Sequence, residues 1–166
     1  MSTLLVPEFD LQGAPATRHR TKSRRLRASD PAVRAMTDFF RDPPLTIAAD
    51  CELDTAMDDM FRLGVRAFLV VQDLTVVGLV TSDDIRHARR TQASQVNEVM
   101  TPAVDMPAID WQTLRQSTVR DLLEIFEGAE VHHLVVLETE STQRHTVRGL
   151  VQRSRVEQRL LPGAAP

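Results

Sequence analysis

What most restricts how this chain can fold is that it repeats itself. Val65-Arg66-Ala67-Phe68 returns in kind as Val131-His132-His133-Leu134, and Gly78-Leu79-Val80 returns as Gly149-Leu150-Val151. The second pair lies slightly further apart than the first, so the second copy carries extra residues in its hairpin. Each copy reads as strand, helix, strand, strand, helix. In the first, Leu45-Thr-Ile47 is a short strand and Asp50 caps a helix with Leu53, Met57, Met60 and Phe61 turned inward. Gly64 is the left-handed C-cap, Ala67–Val71 and Thr75–Val80 are strands joined by a turn at Gln72-Asp73, and a helix opens at Thr81. In the second, Ser117 caps a helix with Val119, Leu122, Leu123 and Phe126 inward. Strands His133–Leu137 and Thr146–Val151 follow across a longer polar turn, then a helix from about Ser154 to Leu160. A self-similar unit met twice marks a duplicated α/β domain of the α+β type, each copy a small three-stranded sheet with two helices. Neither copy can bury both faces of so small a sheet alone, so the two are expected to pack pseudo-symmetrically.

The rest of the chain is read around the repeats. Residues 1–29 are rich in Pro, Gly, Thr, Ser and Arg and read as a flexible basic arm. Residues 30–43 read as a short helix with Asp30 as N-cap, Pro31 at its first position, and Val33, Met36, Phe39 and Phe40 on its apolar side. Repeat 1 is set at 44–98, the linker and repeat 2 at 99–161, and a tail at 162–166. Met100, Met106 and Trp111 are expected to pack the linker onto the second repeat.

Charge and cysteine usage narrow the function classes. The net charge is −3, yet Arg18 to Arg27 holds six basic residues and no acid. That run has no aromatic residues to stack bases and no amphipathic spacing, so neither nucleic acid nor a membrane is expected as a partner. No stretch approaches the ~20 apolar residues of a membrane span, and no secretory leader is evident at the N-terminus. The single cysteine, Cys51, allows no disulfide framework within the chain and suits the cytoplasm.

The motifs that close each repeat are the most specific ones. Gly78-Leu-Val-Thr81-Ser-Asp-Asp84-Ile85 resembles the ending of a CBS repeat at every position. Gly64-Val-Arg66-Ala-Phe-Leu-Val-Val71 is similar to the loop and second strand of such repeats, and Val99-Met-Thr-Pro102 to the linker before the next one. The resemblance covers residues 44–161 and implies a CBS-domain pair, or Bateman module. It implies a regulatory ligand, AMP, ADP or ATP, and no required cofactor. Thr81 and Asp84 would hold the ribose, Thr46, Ile47 and Ala67 flank the adenine, and Arg66 reach the phosphates. His132 and His133 occupy the equivalent place in the second repeat. It also implies a homodimer formed through the helices and a regulated partner protein that the sequence does not name.

The chemistry is sensible on its own terms. Thr81 stands where an apolar strand gives way to a helix, and Asp84 lies one turn on, so hydroxyl and carboxylate share the helix start. A carboxylate accepts two hydrogen bonds side by side, which suits the 2′- and 3′-hydroxyls of a ribose. The second repeat departs here: Gly149-Leu-Val-Gln152-Arg-Ser-Arg155 has Gln for Thr and Arg for Asp, and a guanidinium cannot accept those bonds. One nucleotide per chain is expected, bound mainly by repeat 1. Elsewhere, His132 and His133 are neighbours on a strand and point to opposite faces, so they cannot chelate one ion. His19, His87 and His145 lack companions at ligand spacing, Cys51 has no nearby His, and no catalytic constellation is found. A non-catalytic nucleotide sensor and a constitutive dimerisation and interaction scaffold with a degenerate ligand site both fit this reading; a third, on the weak signal of residues 18–27 as a flexible basic arm, is regulation of gene expression through nucleic acid.

Overall fold

The computed structural model describes residues 3–5, 25–88, 90–141 and 144–161. The strands in chain order are β1 (Thr3–Leu5), β2 (Thr37–Asp38), β3 (Thr46–Ala48), β4 (Ala67–Gln72), β5 (Thr75–Thr81), β6 (Thr101–Pro102), β7 (Ala108–Asp110), β8 (His133–Ser141) and β9 (Arg144–Gln152). The α-helices are α1 (Leu53–Leu63), α2 (Ser82–Ala88), α3 (Trp111–Gln116), α4 (Val119–Gly128) and α5 (Arg153–Arg159). The described residues form two compact units: 3–5 with 44–88, 90–106 and 144–145, and 25–43 with 107–141 and 146–161.

In the first unit β3 runs parallel to β4, β4 pairs antiparallel with β5, and β5 is covered on its far edge by β1 and β6. The β4–β5 turn is Asp73-Leu74, one residue later than the sequence suggests, with φ of 48° and 64°. Two left-handed central residues give the turn whose twist matches a hairpin. Helix α1 buries Leu53, Ala56 and Met60 against Ile47, Phe68, Val70 and Val80. It starts at Glu52 rather than Asp50, because the Leu53 N–H is taken by the Ser94 carbonyl at 2.9 Å. Gly64 closes it at φ 65° as expected, with the Val65 N–H reaching back to the Met60 carbonyl at 2.9 Å. Phe61, expected inward, is 90% exposed. At 3.6 residues per turn it stands roughly 90° from the centre of the Leu53–Ala56–Met57–Met60 stripe.

The second unit repeats the plan: β7 runs parallel to β8, β8 pairs with β9, and β2 covers the far edge of β9. Its core is Ile109, Leu114, Val119, Leu122, Phe126, Leu134, Val136, Val151 and Val156. The extra residues of the second hairpin lengthen β8 and β9 as strand instead of forming a long turn. The α4 cap is Thr118; Ser117 ends α3, with its hydroxyl donating to the Thr113 carbonyl at 2.8 Å.

Each sheet thus has a short edge strand that the three-stranded expectation lacked. In β6, Thr101 and Pro102 sit opposite Leu79 and Gly78; in β2, Thr37 and Asp38 sit opposite Leu150 and Gly149. The glycines make this approach possible. A Cβ on Gly78 would lie 2.7 Å from both the Met100 sulfur and the Thr101 carbonyl, and one on Gly149 2.5 Å from the Thr37 carbonyl and 2.7 Å from the Met36 sulfur. Met100 therefore packs on the first repeat, not the second, and the linker to 106 goes with the first unit.

The same pairing replaces the helix expected over 30–43. A single 3-10 turn, Ala32–Ala35, follows Pro31, and Met36 is extended so that Thr37–Asp38 can join β9. Asp30 does not cap it but pairs with Arg34 at 2.7 Å. Phe40 is half exposed under the Arg148 guanidinium, whose carbon lies 4.2 Å from the Phe40 ring centre and 4.5 Å from that of Trp111. Asp38 and Glu138 pair with the same arginine. Within the expected arm, Thr3–Leu5 is strand and Leu26 is fully buried, its N–H on the Arg159 carbonyl at 2.7 Å. Residues 6–24, with most of the basic run, and the tail 162–166 lie outside the described residues.

Candidate functional site

The site grows from one end of the β4–β5 hairpin. Ala67 opens β4 directly opposite Thr81, the last residue of β5, and the Ser82 N–H donates to the Arg66 carbonyl at 2.9 Å. Antiparallel pairing therefore places the Arg66-Ala67 step beside the start of α2. Thr81 and Asp84 close a reciprocal box there. The Thr81 N–H and hydroxyl donate to Asp84 Oδ2 at 2.8 and 2.7 Å, and the Asp84 N–H donates to Thr81 Oγ1 at 3.2 Å. Oδ2 is thus committed to Thr81, while Oδ1 has no hydrogen-bond partner among the described residues. A ribose docking across both oxygens is not available in this arrangement. A carboxylate oxygen has two lone pairs, so Oδ1 alone can still serve one or both vicinal hydroxyls.

Asp84 also borders an open cavity of about 690 Å³, shared with His87, Ala88, Thr91 and Glu98 among others. Thr46, Ile47, Arg66, Ala67 and Thr81 do not line it. His87 Nδ1 is 2.7 Å from the Asp83 carbonyl oxygen. Glu98 accepts the Ser94 and Gln95 N–H groups at 2.7 and 2.8 Å, and these bonds hold its carboxyl below the usual range.

The other expected residues are placed as follows. Thr46 is exposed on β3, opposite Leu69. Ile47 is a core side chain, so only its backbone could face a ligand. Arg66 is exposed, and its guanidinium has no partner among the described residues. His132 and His133 belong to the second unit, at the start of β8. The Arg153 N–H donates to the His132 carbonyl at 2.9 Å, the counterpart of the Ser82–Arg66 bond. The junction is thus built alike in both repeats while its side chains differ. Gln152 and Arg155 stand where the first repeat has Thr81 and Asp84, and Arg155 Nη1 donates to Thr37 Oγ1 at 3.3 Å.

Sequence reasoning missed the edge strands and the Glu98 side of the cavity. The signal for the strands was present: Met36-Thr37 echoes Met100-Thr101 one repeat earlier. Among the described residues no cluster of three or more His, Cys, Asp or Glu could hold a metal ion, and no helix is long and apolar enough to cross a membrane. Burial, then the Asp59, Asp50 and Glu52 carboxylates, push the Cys51 thiol up, which keeps it protonated and a poor nucleophile.

Residues 35–91 match the CBS domain family. No curated protein matches the chain. Among solved structures, the CBS domain NE2398 is similar at 25% identity, covering 69% of this chain and 86% of that one, with a TM-score of 0.54. CBSX2, solved in complex with AMP, is similar at 17% identity, covering 78% and 94%, with a TM-score of 0.56. The CBS domain pair of protein MJ0100, solved in complex with 5′-methylthioadenosine and S-adenosyl-L-methionine, is similar at 19% identity, covering 74% and 94%, with a TM-score of 0.53.

Proposed function

From a chain whose residues 35–91 are a CBS domain and whose fold is that of CBS-domain pairs, we propose a non-catalytic regulatory module that binds one adenosyl nucleotide through its first repeat and signals to a partner protein. The observation that carries this reading is Asp84: a carboxylate fixed by Thr81 at a strand-to-helix junction beside the Arg66-Ala67 step, with Oδ1 unengaged. Ribose hydroxyls donate to Oδ1, the Thr46 and Ala67 strand ends flank the base, and the exposed Arg66 guanidinium meets phosphate with its planar fork. Each charge-assisted bond contributes ~1.5–3 kcal/mol. The adenosyl class draws support from the AMP, methylthioadenosine and S-adenosylmethionine held by relatives of the same fold. AMP, ADP and ATP are the candidates, as regulatory ligands and not as resident cofactors. The exposed Phe61 on α1 favours a homodimer through the helices, and the lone cysteine favours the cytoplasm.

A second reading has one observation in its favour. The same reciprocal box stands at Thr118–Asp121, where it caps α4. If Thr81–Asp84 is only a cap, the chain is a constitutive interaction scaffold. Calorimetric titration with AMP, ADP, ATP, 5′-methylthioadenosine and S-adenosylmethionine separates the two. The sensor requires saturable binding of at least one ligand, lost in Asp84→Ala. No heat at millimolar ligand, or equal binding by the variant, leaves the scaffold.

A further inference from the structure

The second repeat holds a group of arginines that the nucleotide reading does not use. Arg155 is exposed, and among the described residues its one hydrogen bond is the 3.3 Å donation to Thr37 Oγ1. One turn further along α5, Arg159 Nη2 donates to the Arg34 carbonyl at 2.9 Å. Burial first, and then the neighbouring charges of Arg155 and Arg34, pull the Arg159 guanidinium below the usual arginine range. Arg155 and Arg159, one turn apart on α5, therefore place two guanidinium groups on one small surface beside the Arg34 backbone. The nearby acids are already engaged: Asp30 pairs with Arg34 at 2.7 Å and Glu157 with Arg153 at 2.7 Å, which leaves Arg155 with no carboxylate partner among the described residues. Leu26 adds to the charge. It is clasped between the Arg159 carbonyl and the Leu161 N–H, which brings the exposed Arg25 and Arg27 to the end of α5.

We propose that this surface is an anion site for a phosphate group, with Arg155 and Arg159 as guanidinium donors and the Thr37 hydroxyl between strand and helix as a further donor. A carboxylate is matched by a single guanidinium fork, whereas the tetrahedral oxygens of a phosphate accept from several donors at once. The second repeat reads phosphate at the position where the first reads a sugar. The phosphate comes either from a separate anion or from a nucleotide, and both present the same oxygens.

The test is titration calorimetry of the full chain with inorganic pyrophosphate at constant ionic strength, on the wild type, R155Q and D84A. Saturable binding is expected in the wild type and D84A, weakened about tenfold or more in R155Q. Absence of saturable heat, equal binding by R155Q, or loss of binding in D84A overturns the site. So does an identical response to sodium chloride of the same ionic strength. Because Arg155 is exposed, R155Q is expected to unfold at the wild-type midpoint, so a binding loss reports on the anion. With pyrophosphate binding weakened in R155Q, an AMP titration of the same variant identifies the source: unchanged AMP affinity indicates a separate anion, and weakened affinity the nucleotide's own phosphate. If AMP fails to bind the wild type, the sensor reading falls while the pyrophosphate result stands.

Discussion

Thr81–Asp84 and Thr118–Asp121 are the same object in local geometry. In each, a threonine N–H and hydroxyl meet one aspartate oxygen at 2.7–2.9 Å, and the aspartate N–H returns to the threonine oxygen at 3.2 or 3.3 Å. What differs is the ground they stand on. Thr81 ends a strand, opposite the Arg66-Ala67 step, and Asp84 borders a cavity. Thr118 follows the end of α3, and its aspartate is exposed. A capping box is therefore no evidence of a binding site by itself; its surroundings decide.

That comparison can be broken in several ways. The largest effect is expected from Asp84→Ala set against Asp121→Ala. The first should weaken nucleotide binding about a hundredfold, ~2.7 kcal/mol, and the second should leave it unchanged, as read by calorimetry. Equal behaviour of the two would erase the distinction. Next, Gly78→Val and Gly149→Val should each cost about 2 kcal/mol or more in denaturant melts. The added carbon would meet a strand carbonyl and a methionine sulfur at both positions. A large loss in one and none in the other would show that the repeats do not share one frame. Thr81→Ala and Thr118→Ala should each cost about 1 kcal/mol of stability, while only the first also impairs the ligand.

The smallest effect is in pH. The Thr118 N–H, then its hydroxyl, hold the Asp121 carboxyl below the ordinary range, as the Ser94 and Gln95 N–H groups do for Glu98. A carboxyl lowered on folding stabilises fully above its unfolded value and loses that contribution as pH falls through the folded one. The unfolding midpoint should therefore drop below about pH 4. It should drop less steeply in Asp121→Asn, whose amide oxygen still caps without titrating.

The repeat, helices α1, α2, α4 and α5 and the strand–turn–strand cores were legible because each rests on a short periodicity or a single special residue, Gly64 at φ 65° being the clearest, whereas α3 was not expected. The grouping of Arg66, Ala67, Thr81 and Asp84 was legible through the family resemblance and not through the hairpin: a turn at Gln72-Asp73 sets Ala67 opposite Gly78, and the observed Ala67–Thr81 pairing needs the later turn and the register shift between Val70 and Val71. What escaped depends on distant partners. Thr37–Asp38 reads as the end of a helix until β9 claims its backbone, and Phe61 reads as core until the stripe is centred on Ala56 and Met60. The engagement of Asp84 Oδ2 escaped for the opposite reason. Its partner is local, but a hydroxyl's choice between backbone and carboxylate is set by rotamers that spacing does not reveal.

The β2 pairing also sets an order of events at the ribosome. Thr37 must wait for Leu150, more than a hundred residues later, before its edge of the sheet can close. At a synthesis rate of ~5–20 residues per second this is a delay of roughly 5–20 s. The first hairpin with its own edge strand is complete by Pro102. The strands that lead to Asp84 can therefore pair while the other half is still being translated, and the last to be finished is the half that carries the arginines.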